Sequence, residues 1–177
     1  MAAQRSPMDR DNSIVGPGGG FLTRLQMRVY KPEDFLAIEP LDSEKKNREG
    51  QDVAKWAELH GKAGPAMTCV DLQGEIVFCC GVHDFWPGVG EVWASFSPLA
   101  RRYPHTLQAV KWVLHELCFK KFNYRRIQAV VGLDDNAAIR FDEKHLGFKK
   151  EGIMRRYGPH GEDRILYALL REDCNGK

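Results

Sequence analysis

The chain has 177 residues, 43% of them hydrophobic and 28% charged, so it can bury a substantial core and is most simply one globular domain. Its 26 basic and 24 acidic residues are mixed along the sequence and leave a net charge of +2, which indicates neither a nucleic-acid partner nor a membrane partner. Five cysteines do not form the even, spaced pattern of a secreted disulfide framework, and no apolar run approaches about twenty residues, so we expect a cytoplasmic protein with reduced thiols.

The beginning of the chain predicts a leader, a strand and two helices. Residues 1–22 are polar and glycine-rich, typical of a flexible leader, and the single domain is expected at 23–173. Residues 25–30 alternate apolar and polar side chains, which indicates a half-buried strand. Proline and acidic residues favour a short helix over 32–38, and a second helix is predicted over 52–60 with these apolar residues on one side: Val53, Trp56 and Leu59. The charged segment between the two helices, 41–50, is predicted to be a connection.

Three antiparallel strands are predicted in the middle of the chain. Residues 66–72 and 75–82 flank Gln73-Gly74 and have the form of a hairpin. A turn is expected over 85–90, and a third strand over 91–97 ends before Pro98, because proline cannot donate to a ladder.

A periodic helix and a buried strand follow. Over 105–119 apolar residues recur at spacings of three and four, which predicts an amphipathic helix. Residues 126–132 are predicted to be a short buried strand. Because a helix separates this strand from the third one of the meander, the two should pair in parallel.

The stretch 133–152 combines a helix start, a helix stop and the opening of a strand. Asp134 or Asp135 can cap the free N–H groups of a helix over 137–145, and Gly147 is placed to end it in a left-handed conformation. Two closing strands are predicted over 148–155 and 164–170. The fold class is therefore α/β, a mixed sheet of about six to seven strands flanked by helices, in the order β-α-α-β-β-β-α-β-α-β-β.

That order resembles a known superfamily once three motifs are added. They are Asn136 to Phe141 (NAAIRF), Leu146 to Gly152 (LGFKKEG) and Tyr167 to Arg171 (YALLR). With the element order they are similar to the GNAT superfamily of acetyl-CoA-dependent N-acetyltransferases. The closing part is most similar to the branch that acetylates ribosomal-protein amino termini, and also to acetyltransferase-like proteins of bacteriophages.

The resemblance implies a reaction and a cofactor. It implies transfer of an acetyl group from acetyl-CoA to a primary amine, such as a protein N-terminus, a peptide or a small amine, by direct attack in a ternary complex without a metal. Two parallel strands that part would leave backbone N–H groups free to hold the pantetheine arm and the thioester oxygen. Phe96 and Ser97, at the end of the third meander strand, are the residues expected there.

The expected pyrophosphate loop departs from the family pattern. The family has R-G-x-G-x-A or R-G-x-G-x-G before its helix, whereas this chain has RRYPHT over 101–106. Pro104 fixes φ and lacks an N–H, so either the pyrophosphate site is lost or Arg101 and Arg102 replace the missing donors. The resemblance also implies that His105 and Thr106, which open the helix, face the cofactor pyrophosphate. It assigns a cofactor contact to Asn136, whose alternative role is a helix cap. Arg140 is a candidate contact to a cofactor phosphate, with pairing to nearby acids as its alternative.

Catalytic groups are expected on a strand and in a loop. The family often uses a glutamate of the third meander strand as base, and Glu91 lies at the start of that strand; its alternative is a surface carboxylate at a strand edge. The family's tyrosine acid has no counterpart in the last helix, where its place holds Asp142 or Glu143. Tyr157, in the next loop, is the candidate acid, weighed against a role in packing.

Other classes stay open at this point. A GNAT-fold binding or structural protein without turnover, phage-derived in origin, would fit the altered loop. A cysteine hydrolase would need Cys80 and His83 to act together, although alternation places them on opposite faces of a strand. The acceptor is expected between the early helices and the 157–163 loop, and a homodimer is left open.

Overall fold

The computed structural model describes residues 24–174, so the leader predicted at 1–22 lies outside the described residues. It has seven strands: β1 (Leu25–Val29), β2 (Ala66–Asp71), β3 (Ile76–Trp86), β4 (Val89–Phe96), β5 (Arg126–Gly132), β6 (Lys149–Met154) and β7 (Arg164–Leu170). They are hydrogen-bonded in one sheet in the order β1-β2-β3-β4-β5-β7-β6. β4 and β5 pair in parallel, whereas β1–β2, β2–β3, β5–β7 and β6–β7 are antiparallel. The predicted mixed sheet and its parallel pair are thus confirmed.

Six α-helices accompany the strands in the described part of the chain: α1 (Pro32–Ala37), α2 (Asp42–Arg48), α3 (Val53–Lys62), α4 (Thr106–Trp112), α5 (Asn136–Arg140) and α6 (Arg171–Cys174). A 3₁₀ turn, Pro98–Arg101, precedes α4. Both α4 and α5 continue as π-helix, over Val113–Lys121 and Phe141–Leu146 respectively. No helix within residues 24–174 is long and apolar enough to cross a membrane.

The chain divides into two compact units. Among the described residues, the first unit comprises 24–82 and 94–109 and contains β1, β2, most of β3, α1, α2 and α3. Its antiparallel strands pair Leu25 with Asp71 and Ala66 with Gly81. Its buried side chains are mostly apolar and include Met27, Phe35, Ala57, Met67, Val77 and Phe78.

The second unit comprises 83–93 and 110–174. Here β5 pairs along its whole length with β7, from Arg126 opposite Leu170 to Gly132 opposite Arg164. The start of β4 pairs with β5 on the other side of that strand. The buried side chains of this unit include Val113, Leu114, Leu117, Ile127, Phe148, Tyr167 and Leu169.

The charged segment 41–50 is a helix and not the predicted connection. α2 has no buried residue, so the sequence carries no apolar period that would reveal it. It is stabilised by charge instead: Arg48 donates to Glu44 one turn earlier from Nε at 3.0 Å and from Nη2 at 2.6 Å. Two features of the sequence could have predicted this helix. An acidic and a basic residue stand four positions apart, and the acidic residues lie in its first turn and the basic residues in its last.

Two further predictions are corrected. β3 continues to Trp86, so the turn expected over 85–90 is shorter and centres on Pro87 and Gly88. On α3 the buried residues are Ala57 and His60, while the predicted apolar side is open, with Leu59 50% exposed. His60 lies inward because its ring packs against that of Phe35, with centroids 4.7 Å apart.

The predicted helix ends in the second half are confirmed. Asp135, one of the two candidate caps, accepts the Ala138 N–H at 3.0 Å. The helical segment ends at Gly147, which has φ 83°, the left-handed conformation that glycine adopts without strain. The hairpin turn at Gln73-Gly74 is also present, since Asp71 accepts the Gln73 N–H at 2.9 Å.

Candidate functional site

The parallel ladder between β4 and β5 ends at a polar pair. It joins Val89 to Arg126, Gly90 to Ile127 and Glu91 to Gln128. At the last pair Gln128 Nε2 donates to a carboxylate oxygen of Glu91 at 3.0 Å. β4 then continues to Phe96 and β5 to Gly132. Glu91, the predicted base, therefore lies where the ladder stops.

Tyr157, the predicted acid, belongs to the same unit as Glu91, and the charge of Glu91 affects the pKa of its phenol. The side chain is 54% exposed in the loop between β6 and β7. Partial burial raises the pKa of its phenol, and the negative charge of Glu91 raises that pKa further. The phenol therefore keeps its proton at neutral pH, and it is a weaker acid than an unperturbed tyrosine. The structure thus brings the two predicted catalytic residues within electrostatic reach of each other.

The end of β4 lies in the first unit, and the residue that follows it, Ser97, is hydrogen-bonded to β3. Ser97 is buried and donates its hydroxyl to the Ile76 carbonyl at 2.8 Å and its N–H to the Val77 carbonyl at 3.0 Å. Phe96 packs its ring on Phe78, with centroids 5.5 Å apart. Ser97 therefore fixes β4 on β3, and its hydroxyl has a structural role that the sequence did not predict.

A polar cluster from α2, which the sequence analysis missed, contacts the same part of β4. Glu44 accepts hydrogen bonds from the Ser95 hydroxyl and from the Phe96 backbone N–H. Arg48 Nη2 donates to Ser95 Oγ at 2.9 Å, and its guanidinium lies 3.9 Å from the ring centroid of Phe35. Burial raises the pKa of the Glu44 carboxyl, although Arg48 and the two β4 donors act in the opposite direction.

The loop before α4 presents two arginines. Arg101, the last residue of the 3₁₀ turn, and Arg102 after it are both exposed. Tyr103 donates its hydroxyl to Asp71 at 2.8 Å, which ties the loop to the β2–β3 turn. The predicted helix start is confirmed at Thr106, whose N–H bonds the Tyr103 carbonyl and whose hydroxyl bonds the Ala100 carbonyl at 3.0 Å.

The remaining predicted cofactor residues lie at both ends of α5 in the second unit. Asn136 and Arg140 are its exposed first and last residues, and the cap is Asp135, so Asn136 has a side chain free of that role. Asp142, in the following π-helical turn, is partly buried rather than on the solvent face. Burial and the neighbouring charges of Asp135 and Glu143 raise its pKa to about 7.

The two thiols of β3, Cys79 and Cys80, are buried. Cys80 is buried, with 8% of its surface exposed. Burial raises the pKa of the adjacent Cys79 thiol to about 12, so that thiol stays protonated at neutral pH. Burial also lowers the pKa of His83. Within residues 24–174, no group of three or more His, Cys, Asp or Glu side chains is placed to hold a metal ion.

Solved structures of acetyltransferases share this architecture. A GNAT-family acetyltransferase from Bacillus anthracis aligns with a TM-score of 0.65 over 84% of this chain and 96% of its own, at 21% identity. A GCN5-related N-acetyltransferase from Brucella melitensis aligns with a TM-score of 0.66 over 89% and 79%, at 16% identity. The chain has the GNAT fold. A variant of the spermidine N-acetyltransferase SpeG from Vibrio cholerae aligns with a TM-score of 0.64 over 84% and 95%, at 15% identity.

No family model matches the sequence, and no curated protein matches it. At these identities the likeness is one of fold, and it confirms the GNAT architecture expected from the element order. Within the GNAT fold the predicted site residues fall into two sets. The first unit holds Phe96, Ser97, Arg101, Arg102, His105 and Thr106; the second unit holds Glu91, Asn136, Arg140 and Tyr157.

Proposed function

We propose that the protein is an N-acetyltransferase that transfers an acetyl group from acetyl-CoA to a primary amine by direct attack in a ternary complex. The observation that carries the proposal is the parallel β4–β5 ladder of a GNAT fold that ends at the Glu91–Gln128 pair. The acceptor class includes a protein N-terminus, a peptide and a small amine. Similarity of the closing motifs to the ribosomal-protein branch favours an N-terminal amine among these.

The residues before α4 fit the anionic end of acetyl-CoA. Arg101 and Arg102 expose two guanidinium groups at the start of a long helical segment, and guanidinium groups bind phosphate oxygens bidentately. Pro104 removes one N–H from the usual cradle, and the Thr106 N–H is already bonded. Side-chain cations therefore take the role that backbone donors have in the family, with Asn136 and Arg140 as further candidate contacts.

Acetyl-CoA supplies an acetyl group that is activated as a thioester. Glu91 is proposed to accept a proton from the incoming ammonium, since only the neutral amine is a nucleophile. Gln128 holds that carboxylate in place through its amide. Tyr157 is proposed to donate a proton to the departing sulfur. Asp142, with a pKa of about 7, is a second candidate donor, in the helix where the family has its tyrosine.

The proposal is tested by binding and transfer together. Acetyl-CoA should raise the melting temperature of the pure protein in a saturable manner, because a ligand that binds only the folded state stabilises it. A panel of amines, including peptides with free N-termini and polyamines, should then release thiol from acetyl-CoA. Saturable binding without thiol release from any amine would favour a GNAT-fold binding protein. The absence of both saturable binding and thiol release would overturn the proposal.

A further inference from the structure

A third exposed arginine lies beside the loop that precedes α4. Arg24 directly precedes Leu25, the first residue of β1, and Leu25 lies opposite Asp71, the last residue of β2. Asp71 in turn accepts the hydroxyl of Tyr103, a residue of that loop, at 2.8 Å. The start of β1 and the loop before α4 therefore meet at Asp71, and all of these residues belong to the first unit.

The Asp71 carboxylate fixes this junction. It is buried, and its Oδ1 accepts the Gln73 and Glu75 N–H groups at 2.9 Å each, while Oδ2 accepts the Tyr103 hydroxyl. Burial would raise the pKa of Asp71, but these donors outweigh it and the pKa is lowered, so the carboxylate is charged at neutral pH. Because both oxygens are bonded within the protein, Asp71 holds the loop and leaves the nearby cations unpaired.

Three guanidinium groups lie around the junction. Arg24, Arg101 and Arg102 are all exposed, and none of them forms an ion pair with another residue of the described part of the chain. The hydrogen bond to Asp71 raises the pKa of the Tyr103 phenol, whereas the positive charges of Arg24 and Arg102 lower it. Two guanidinium groups from separate segments of the chain thus act on one hydroxyl, and three cations stand against one carboxylate.

We infer that Arg24 binds the 3′-phosphate of acetyl-CoA, an inference that rests on the proposed function. Acetyl-CoA carries a pyrophosphate and, on the adjoining ribose, a phosphomonoester with a charge of roughly −1.5 to −2 at pH 7. The proposed function assigns the pyrophosphate to Arg101 and Arg102, which leaves the phosphomonoester without a cation. Both groups belong to the same nucleotide, so their cations must be neighbours. Arg24 provides that neighbouring guanidinium, which can bind two phosphate oxygens at once.

The matched probe is 3′-dephospho-acetyl-CoA, which keeps the pyrophosphate and lacks only the 3′-phosphate. By calorimetry, the wild-type protein should bind it about tenfold more weakly than acetyl-CoA, as expected for the loss of charge-assisted hydrogen bonds. Arg24→Ala should bind both ligands equally, with the affinity of the wild-type protein for the dephospho form. Arg101→Ala should instead weaken both ligands by the same factor. Lys31→Ala, which removes an exposed cation beyond the other end of β1, should change neither affinity.

Phosphorus NMR of the wild-type complex gives a second readout that needs no variant. The pKa of the 3′-phosphate, about 6 in the free ligand, should fall on binding, because a guanidinium favours its dianionic form. An unmoved phosphate pKa, equal binding of the two ligands by the wild-type protein, or equal losses for both in Arg24→Ala would overturn this inference and leave the proposed function standing.

The proposed function fails in two distinguishable ways. A wild-type protein that binds neither ligand overturns the proposed function and this inference with it. A wild-type protein that prefers acetyl-CoA to its dephospho form through Arg24, but acetylates no amine, supports this inference and overturns the proposed transfer.

Discussion

Gln128 donates from Nε2 to Glu91 at 3.0 Å, at the last residue pair of the parallel ladder between β4 and β5. We therefore expect Glu91→Gln to lower turnover about 100-fold or more, because general-base catalysis is typically of that size. The Kd of acetyl-CoA should stay the same. Thiol release under saturating acetyl-CoA measures the effect, with Glu75→Gln as the matched control, since Glu75 is exposed in the β2–β3 turn. Full turnover in Glu91→Gln would show that Glu91 is not the base and is only a surface carboxylate.

The same substitution has a spectroscopic consequence at Tyr157. The charge of Glu91 contributes to the raised pKa of that phenol, so its removal should lower the pKa. The phenolate absorbance is titrated in Glu91→Gln and in Glu91→Gln/Tyr157→Phe. The difference between the two titrations is the signal of Tyr157. An unchanged pKa of the Tyr157 phenol would show that the charge of Glu91 does not act on it.

Arg101 and Arg102 are expected to bind the phosphates of acetyl-CoA. Removal of either guanidinium by alanine should weaken binding about tenfold, since a charge-assisted hydrogen bond is worth roughly 1.5 kcal/mol. Acetyl-pantetheine, which lacks these phosphates, should bind wild type and variants equally. The exposed Arg155, changed to alanine, is the control. Equal losses for both ligands would show that the arginines support the loop and not the phosphates.

The strands and the helix ends were predictable because their signals are local. β5 and β7 have the predicted bounds, since each is a short apolar run bounded by turn residues. Asp135 and Gly147 lie at helix ends, where a side-chain acceptor and a left-handed residue satisfy free backbone groups. The parallel pairing of β4 with β5 also followed from the helix between them.

The contacts of the candidate site were beyond the sequence. Gln128 reaches Glu91 only because the register of the parallel ladder sets them opposite each other. Arg48 donates to the Ser95 hydroxyl from a helix with no buried residue, 47 positions away along the chain. Hydrophobic periodicity reports which side of an element is buried. It does not report which distant polar group a carboxylate will find.

A partly buried ion pair in the first unit predicts how stability depends on pH. Asp34 accepts from Arg28 at 2.6 and 2.7 Å and from the Thr68 hydroxyl at 2.7 Å. Burial would raise the pKa of Asp34, but these donors outweigh it and the pKa is lowered. Its stabilisation is therefore complete above the unfolded pKa of about 3.9 and is lost as pH falls through the folded value.

Asp34→Asn should accordingly cost roughly 2 kcal/mol at pH 7, because the Arg28 guanidinium loses its charged partner. The gap to wild type should close as the pH falls below about 4. Urea unfolding at several pH values measures it, and Glu33→Gln, an exposed neighbour in the same helix turn, is the control. A gap that does not change with pH would assign the loss to packing and not to charge.

Asp142 has the opposite dependence. Burial and the charges of Asp135 and Glu143 raise its pKa to about 7, so the folded state disfavours the carboxylate form. Stability is therefore lost as pH rises from the unfolded pKa of about 3.9 through about 7. Asp142→Asn should be neutral near pH 4 and stabilising at pH 8 by on the order of 2 kcal/mol, less than the full shift implies because the side chain is partly exposed. Glu172→Gln, an exposed carboxylate of α6, should show no such change, and destabilisation of Asp142→Asn at pH 8 would mean that the charged form is favoured.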